Sequence, residues 1–202
     1  MTKVKICGLT RLADIVAVNR LMPCYVGLVF APSRRRVDGQ TAAKLRERLN
    51  PLIQTVGVFV NEEMDTVADL YGRGVINLAQ LHGDEDGDYI RRLKNRCGCP
   101  VIKAVGIGGS LPPLPGNADF LLFDTLSRQR GGTGKGFDLS ILTGYDRLPF
   151  FVAGGLSEKN VCEAIRRLAP YGVDVSSGVE TDGIKDPGKM ERFIKLARQG
   201  AY

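Results

Sequence analysis

Short apolar runs alternate with longer mixed segments along the whole chain. Eight runs rich in Val, Ile and Phe are nearly continuous in hydrophobicity: VKICG (4–8), YVGLVF (25–30), TVGVFV (55–60), INLAQLHG (76–83), VIKAVGI (101–107), DFLLFDT (119–125), PFFVAGG (149–155) and VDVSSGV (173–179). Such runs are typical of strands buried on both faces of a parallel sheet. The pattern therefore predicts eight parallel strands.

The segments between the runs carry apolar residues at helical spacing. This spacing predicts helices at 11–22, 41–49, 62–71, 85–96, 157–169 and 187–199. Ser157 is the expected N-cap of the helix that it opens. Because 108–118 contains three prolines, we expect the fifth crossover helix to be degenerate or missing.

The eight strand–crossover units follow one another without a Pro/Gly-rich linker, which predicts a single domain over residues 1–202. An open doubly wound sheet and a closed (β/α)₈ barrel both accommodate such units. Eight regular units favour closure, since an open sheet would leave two edge strands to protect. The predicted fold is therefore α/β, a single-domain (β/α)₈ TIM barrel.

Composition and charge limit the kinds of partner that the protein could bind and indicate its compartment. No apolar stretch approaches the roughly 20 residues needed to cross a membrane. The net charge of +6 falls largely on predicted surface helices without interleaved aromatic residues, so we expect no nucleic-acid partner. Five irregularly spaced cysteines indicate a reducing, cytoplasmic setting. Cys97 and Cys99 have no second ligand pair, and no metal site is expected.

Polar residues inside the runs are the candidates for chemistry, because barrel enzymes place their sites at the carboxyl ends of the strands. These residues are Lys5, Cys7, Gln80, His82, Lys103, Asp124, Asp174 and Ser176. Cys7 and Asp124 both lie at strand ends. A carboxylate such as that of Asp124 is costly to bury there unless it is solvated, paired or used in the reaction.

Structural explanations remain open for the same residues. A cysteine in an apolar strand is often a small core residue. Lys5, Lys103 and Asp174 could form a charge-compensating cluster inside the barrel, since buried charges need partners. His82 could simply hydrogen-bond a loop.

Glycine-rich stretches raise the question of phosphate binding. RGGTGKGFD (130–138) lacks the Walker A pattern, and GIGGS (106–110) lacks the dinucleotide fingerprint. AGGLS (153–157) and SSGVE (176–180) follow the seventh and eighth runs, where barrels often hold a phosphate. A phosphate site is therefore predicted there, with plain tight turns as the alternative.

A series of motifs occurs in order at the ends of successive runs: KICGLT, GLVF followed by S-x-R, VGVF, QLHG, LLFDT, GGTGKGFD, AGGL and VDVSSGVE. Together they resemble the phosphoribosylanthranilate isomerase family, (β/α)₈ enzymes of tryptophan biosynthesis. The resemblance implies a cofactor-free Amadori rearrangement of N-(5′-phosphoribosyl)anthranilate to 1-(2-carboxyphenylamino)-1-deoxyribulose 5-phosphate. The chain departs from the family pattern at Leu139, where an aromatic residue is usual.

The resemblance also implies roles for individual residues. Cys7 is the expected general base and Asp124 the expected general acid. Arg36 is expected at the anthranilate carboxylate, although Arg34 and Arg35 are adjacent alternatives. The expected substrate contacts are His82 and Asp174, and the expected phosphate-binding residues are Gly154, Gly155, Ser176, Ser177 and Gly178.

Other functions stay open at this point. The chain could be a related phosphosugar enzyme, such as the histidine-pathway aminoaldose isomerase or indole-3-glycerol-phosphate synthase. It could also be a non-catalytic barrel that binds phosphosugars. The expected partner in each case is a small-molecule phosphosugar, and the expected assembly is a monomer or a homodimer.

Overall fold

The computed structural model describes residues 1–108, 110–125 and 139–200, without the side chains of residues 125 and 139. Eight parallel strands close into a barrel in chain order, with β8 paired to β1. The strands are β1 (Lys3–Cys7), β2 (Tyr25–Val29), β3 (Gln54–Phe59), β4 (Leu78–Leu81), β5 (Val101–Ile107), β6 (Phe120–Thr125), β7 (Phe150–Val152) and β8 (Gly172–Val175). The predicted closed barrel is confirmed.

Six α-helices lie in the described crossovers: α1 (Leu12–Leu21), α2 (Gly39–Arg48), α3 (Met64–Gly72), α4 (Gly87–Cys97), α5 (Val161–Leu168) and α6 (Pro187–Gln199). Aspartate caps start three of them. The carboxylates of Asp38, Asp86 and Asp186 accept from backbone N–H groups three residues on, at 2.7, 2.8 and 3.0 Å. None of these described helices is long and apolar enough to cross a membrane.

The β5–β6 and β7–β8 crossovers differ from what the sequence predicts. Residues 110–119 contain no helix, as their prolines predict. The predicted cap at Ser157 is wrong, since α5 begins four residues later at Val161 with Asn160 as its N-cap. The Ser157 carbonyl accepts from Val161, and a turn at 158–160 precedes the helix.

The core has two parts. A large cluster fills the space between the barrel and its helices. A smaller cluster fills the barrel interior: Tyr25, Val56, Leu78, Ile102, Ala104, Leu122, Phe151 and Ala153. Because side chains alternate along a strand, these residues show which positions face inward. Leu78 and Leu122 put Gln80 and Asp124 on the interior face as well.

A small antiparallel hairpin follows β8. It consists of β9 (Glu180–Thr181) and β10 (Ile184–Lys185) and precedes α6. Its two inward residues, Glu180 and Lys185, are both buried. The hairpin therefore brings two charged side chains to the carboxyl end of the barrel.

Candidate active site

Cys7 ends β1 on the interior face of the barrel, and its side chain is buried. It lies opposite Gly27 of β2, where an added Cβ would be 2.6 Å from the Cys7 Sγ. Glycine at this position therefore makes room for the thiol. A glycine inside a strand often marks such a close approach, so Gly27 in YVGLVF is the signal in the sequence for the thiol packed against it.

Two lysines and an aspartate surround the thiol. Lys5 precedes it on the same face, and its Nζ is 3.0 Å from the Asp174 Oδ1 of the neighbouring strand β8. Burial raises the pKa of Cys7; the positive charges of Lys5 and Lys185 oppose the rise, and Asp174 adds to it. Burial alone would lower the pKa of Lys5, but Asp174 and Cys7 outweigh it and raise that pKa. The lysine thus stays charged beside the thiol.

Asp124 is in β6, which is separated from β1 by β7 and β8 around the barrel. Its Oδ2 is 3.4 Å from the Nε2 of His82, which is longer than an ordinary hydrogen bond. Both side chains remain about one-third exposed, at 31% and 35%. A carboxyl and an imidazole thus meet at the mouth of the barrel, on the far side from Cys7.

Gln80 extends this contact into the barrel. Its Nε2 is 2.9 Å from the Nδ1 of His82, and its Oε1 is buried without a hydrogen-bond partner in the described structure. The Gln80 amide nitrogen thus lies against Nδ1, while the other ring nitrogen, Nε2, is the one near Asp124. Gln80, His82 and Asp124 therefore form one chain of polar contacts.

Lys103 does not join Lys5 and Asp174, and the predicted three-residue cluster is wrong. Its neighbours Ile102 and Ala104 face the barrel interior, so Lys103 points the other way. Its Nζ donates to the carbonyls of Leu81 and Gly83 and lies 3.2 Å from the Glu85 Oε2. This ion pair holds the loop after β4.

The three arginines after β2 have different surroundings. Arg34 and Arg35 both bond the carboxylate of Glu180, with Nη2–Oε2 and Nε–Oε1 distances of 2.7 Å. Arg36 is exposed, and its guanidinium contacts no hydrogen-bond or ion-pair partner within the described ranges. Of the three guanidinium groups, that of Arg36 is therefore open to a ligand.

The loops after β7 and β8 contact each other closely. A Cβ added at Gly178 would be 1.9 Å from the Leu156 carbonyl oxygen, so only glycine fits there. Gly154 and Gly155 have φ values of +80° and +67°, which favour glycine. The backbone N–H groups of residues 154, 155, 177 and 178 donate to no other described residue.

Two predicted site residues have partners of their own. The Ser176 Oγ donates to the Cys7 carbonyl at 3.1 Å, so its single hydroxyl proton ties β8 to β1. Asp174 offers one oxygen to Lys5, and its side chain is 9% exposed. The stretch 130–138 and the side chain of Leu139 lie outside the described residues.

The described residues contain no group of three or more His, Cys, Asp or Glu side chains arranged to hold a metal. What the fold and site define is a (β/α)₈ barrel with a thiol and a carboxyl on separate strands of its mouth and with free backbone amides after β7 and β8. This arrangement belongs to the class of barrel enzymes that work by acid–base chemistry on phosphorylated ligands.

Comparisons with known proteins identify the family. The model of the N-(5′-phosphoribosyl)anthranilate isomerase family matches residues 4–196. A relative from Endomicrobium trichonymphae with that name is 48% identical over 199 residues, covering 98% of this chain and 99% of the relative. The chain therefore belongs to the phosphoribosylanthranilate isomerase family.

Solved structures agree with this assignment. Phosphoribosyl anthranilate isomerase from Thermotoga maritima superposes with a TM-score of 0.86 at 37% identity, covering 98% of this chain and all of that one. Another isomerase, solved in complex with reduced 1-(o-carboxyphenylamino)-1-deoxyribulose 5-phosphate, gives 0.83 at 34% identity with the same coverage. The family resemblance of the motifs is thus confirmed over nearly the whole chain.

Proposed function

We propose that this chain converts N-(5′-phosphoribosyl)anthranilate to 1-(2-carboxyphenylamino)-1-deoxyribulose 5-phosphate, with Asp124 as general acid and Cys7 as general base. The observation that carries the proposal is the placement of these side chains on the interior face, at the carboxyl ends of β6 and β1. One substrate held across the barrel mouth can meet both groups.

The two groups divide the reaction between them. Asp124 donates a proton to the ribose ring oxygen, the ring opens, and a Schiff base forms with the anthranilate nitrogen. Cys7, as thiolate, then removes the proton from the neighbouring carbon, and the resulting enolamine tautomerises to the aminoketose. Proton removal from carbon needs a base in position but no nucleophile–histidine pair. His82 lies 3.4 Å from the Asp124 carboxyl at the mouth.

The ends of the substrate have matching sites. The free N–H groups of residues 154, 155, 177 and 178 suit a phosphate, since backbone donors at strand ends bind anions. The Ser176 hydroxyl donates its proton to the Cys7 carbonyl, so this proton is not directed at the phosphate. Arg36 is suited to the anthranilate carboxylate. Direct contacts of His82 and Asp174 with the sugar remain predictions.

The cysteines bear on the compartment in which the protein works. All five cysteines are free, which suits a reducing cytoplasm. The partner is the small phosphosugar substrate, and monomer and homodimer remain the two predicted assemblies.

The decisive test is turnover by the purified chain. With N-(5′-phosphoribosyl)anthranilate generated in the cuvette, we expect anthranilate-type fluorescence to decay at a rate proportional to enzyme concentration. The aminoaldose of the histidine pathway, added as competitor or substrate, checks the alternative specificity. Tight binding of a product analogue without turnover would instead support a non-catalytic barrel.

Arg36 and Arg34 form a matched pair for testing carboxylate recognition. We expect Arg36→Ala to raise KM by about 10- to 100-fold, because a charged hydrogen bond to the substrate is lost. Arg34→Ala should leave KM close to wild type, since Arg35 keeps its bidentate contact with Glu180. Steady-state kinetics of both variants measure the difference. The assignment fails if Arg34→Ala has the larger effect on KM.

A further inference from the structure

Cys7 is buried, and a buried thiol ionises reluctantly. The charged groups that face it come from four elements: Lys5 on β1, Asp174 on β8, Lys185 on β10 and Arg35 after β2. Among the described residues, the cations that can favour the thiolate are therefore Lys5, Lys185 and Arg35.

Lys5 and Asp174 oppose each other at the thiol. Their side chains are 3.0 Å apart, and both are at least nine-tenths buried. Lys5 favours the thiolate more strongly than Asp174 disfavours it, through its charge and through a hydrogen bond with the thiol. Because this pair is formally neutral, a second cation beside the thiol has room to act.

Hydrogen bonds through Ser176 link the Lys185 ammonium to the backbone carbonyl of Cys7. Its Nζ donates to the Ser176 carbonyl at 2.9 Å and to the Ser176 Oγ at 3.3 Å, and that Oγ donates to the Cys7 carbonyl at 3.1 Å. The Lys185 side chain is 2% exposed, so solvent screens its charge weakly. The ammonium is held beside β1 by a fixed set of acceptors.

The counterion of Lys185 is shared with other cations. The Glu180 Oε1 is 2.6 Å from the Lys185 Nζ, but the same carboxylate also binds Arg34 and Arg35. Lys5, Lys185, Arg34 and Arg35 thus face only Asp174 and Glu180, four cations against two carboxylates.

We propose that Lys185 is a positioning residue that acts together with Lys5 to stabilise the Cys7 thiolate, with Glu180 and its two arginines holding the ammonium in place. The inference rests on the proposed role of Cys7 as general base. Burial lowers the pKa of Lys185, while Glu180 and Cys7 oppose this, as expected for a lysine coupled to a thiol. Loss of the ammonium would leave Lys5 with less help against burial and Asp174, both of which keep the thiol protonated.

The test is a titration of Cys7 that does not depend on turnover. Thiolate ultraviolet absorbance is followed against pH, and the signal of the Cys7→Ser protein is subtracted to isolate Cys7. We expect Lys185→Met to reduce the Cys7 thiolate fraction by about tenfold at a pH below the titration midpoint. Lys185→Arg should restore most of it. Lys189→Met is the matched control, because Lys189 bonds the Glu180 carbonyl without facing Cys7.

The pH profile of kcat/KM connects the titration to catalysis. A base works only when deprotonated, so kcat/KM rises with pH through the pKa of Cys7. That rise should move to higher pH in Lys185→Met. A lower kcat with an unmoved profile and an unmoved titration would overturn the proposal and leave Lys185 a structural role. A moved titration without turnover in the wild-type chain would count against the proposed function alone.

A second measurement covers the case in which Lys185→Met does not fold. Coupling between two charges is reciprocal, so removing the thiol must lower the pKa of Lys185. NMR titration of the Lys185 side chain in the wild-type chain and in Cys7→Ser measures this directly. An identical Lys185 pKa in both proteins would refute the coupling.

Discussion

Replacement of Cys7 by Ser, or of Asp124 by Asn, is expected to lower kcat by about 10²- to 10⁴-fold each, the usual contribution of a positioned acid or base. Serine is a far weaker base than a thiolate, and asparagine has no acidic proton to give. Both substitutions nearly preserve volume, so the barrel should fold as before. The fluorescence assay with the phosphoribosyl substrate measures kcat for each variant.

Matched controls come from the opposite end of the barrel. Cys24 directly precedes β2, and Asp119 directly precedes β6, where it bonds Lys94 and the Val101 N–H. Cys24→Ser and Asp119→Asn should keep kcat within a few-fold of wild type. If Cys7→Ser and Asp124→Asn also turned over at near-normal rates, the assignment of acid and base would be wrong.

Glu180→Gln is expected to lower the free energy of unfolding at neutral pH by about 3 kcal/mol, since it breaks a buried ion cluster. Burial alone would raise the pKa of Glu180, but hydrogen bonds from Arg35 and Lys185 lower it to about 2. A carboxyl with a lowered pKa stabilises the fold above its unfolded pKa near 4.5, and this stabilisation is lost as the pH falls toward 2.

Urea unfolding of the wild type and Glu180→Gln over a range of pH tests this. The difference in unfolding free energy should be largest at neutral pH. It should shrink below pH 4.5, where Glu180 of the unfolded chain takes up its proton before that of the folded chain does. Glu158→Gln is the control, because Glu158 pairs with a largely exposed Arg192 and should change stability by less than about 1 kcal/mol. A pH-independent difference would mean that Glu180 acts through packing rather than charge.

The barrel could be predicted from the sequence because each strand carries its own signal. Runs buried on both faces are continuous in hydrophobicity, and their number and spacing imply closure. Cys7 and Asp124 could be singled out because a strand end is visible in the sequence. The family motifs then supplied the chemistry that composition alone could not.

The charge cluster around Glu180 could not be predicted in this way. Glu180 is 145 residues from Arg35 in sequence, and no local pattern records that β8 returns to pair with β1, whose other neighbour is β2. Lys185 is in a two-residue strand too short to show periodicity. The grouping of Lys103 with Lys5 and Asp174 is wrong because a polar residue within a strand does not show by itself which face of the sheet its side chain occupies. Only the inward packing of Ile102 and Ala104 settles its direction.

The ion pairs from Glu180 to Arg34 and Arg35 cross the end of β1, because β1 lies between β8 and β2. The Arg35 side chain also packs against Gly8, the residue after Cys7. This arrangement bears on oxidation, since peroxide attacks exposed thiolates first. The burial that opposes ionisation of Cys7 thus also makes it a poor target for oxidants, which meet the more open Cys24, Cys97 and Cys162 earlier. The thiol that we propose as the general base is in this way shielded from oxidation by its own position in the fold.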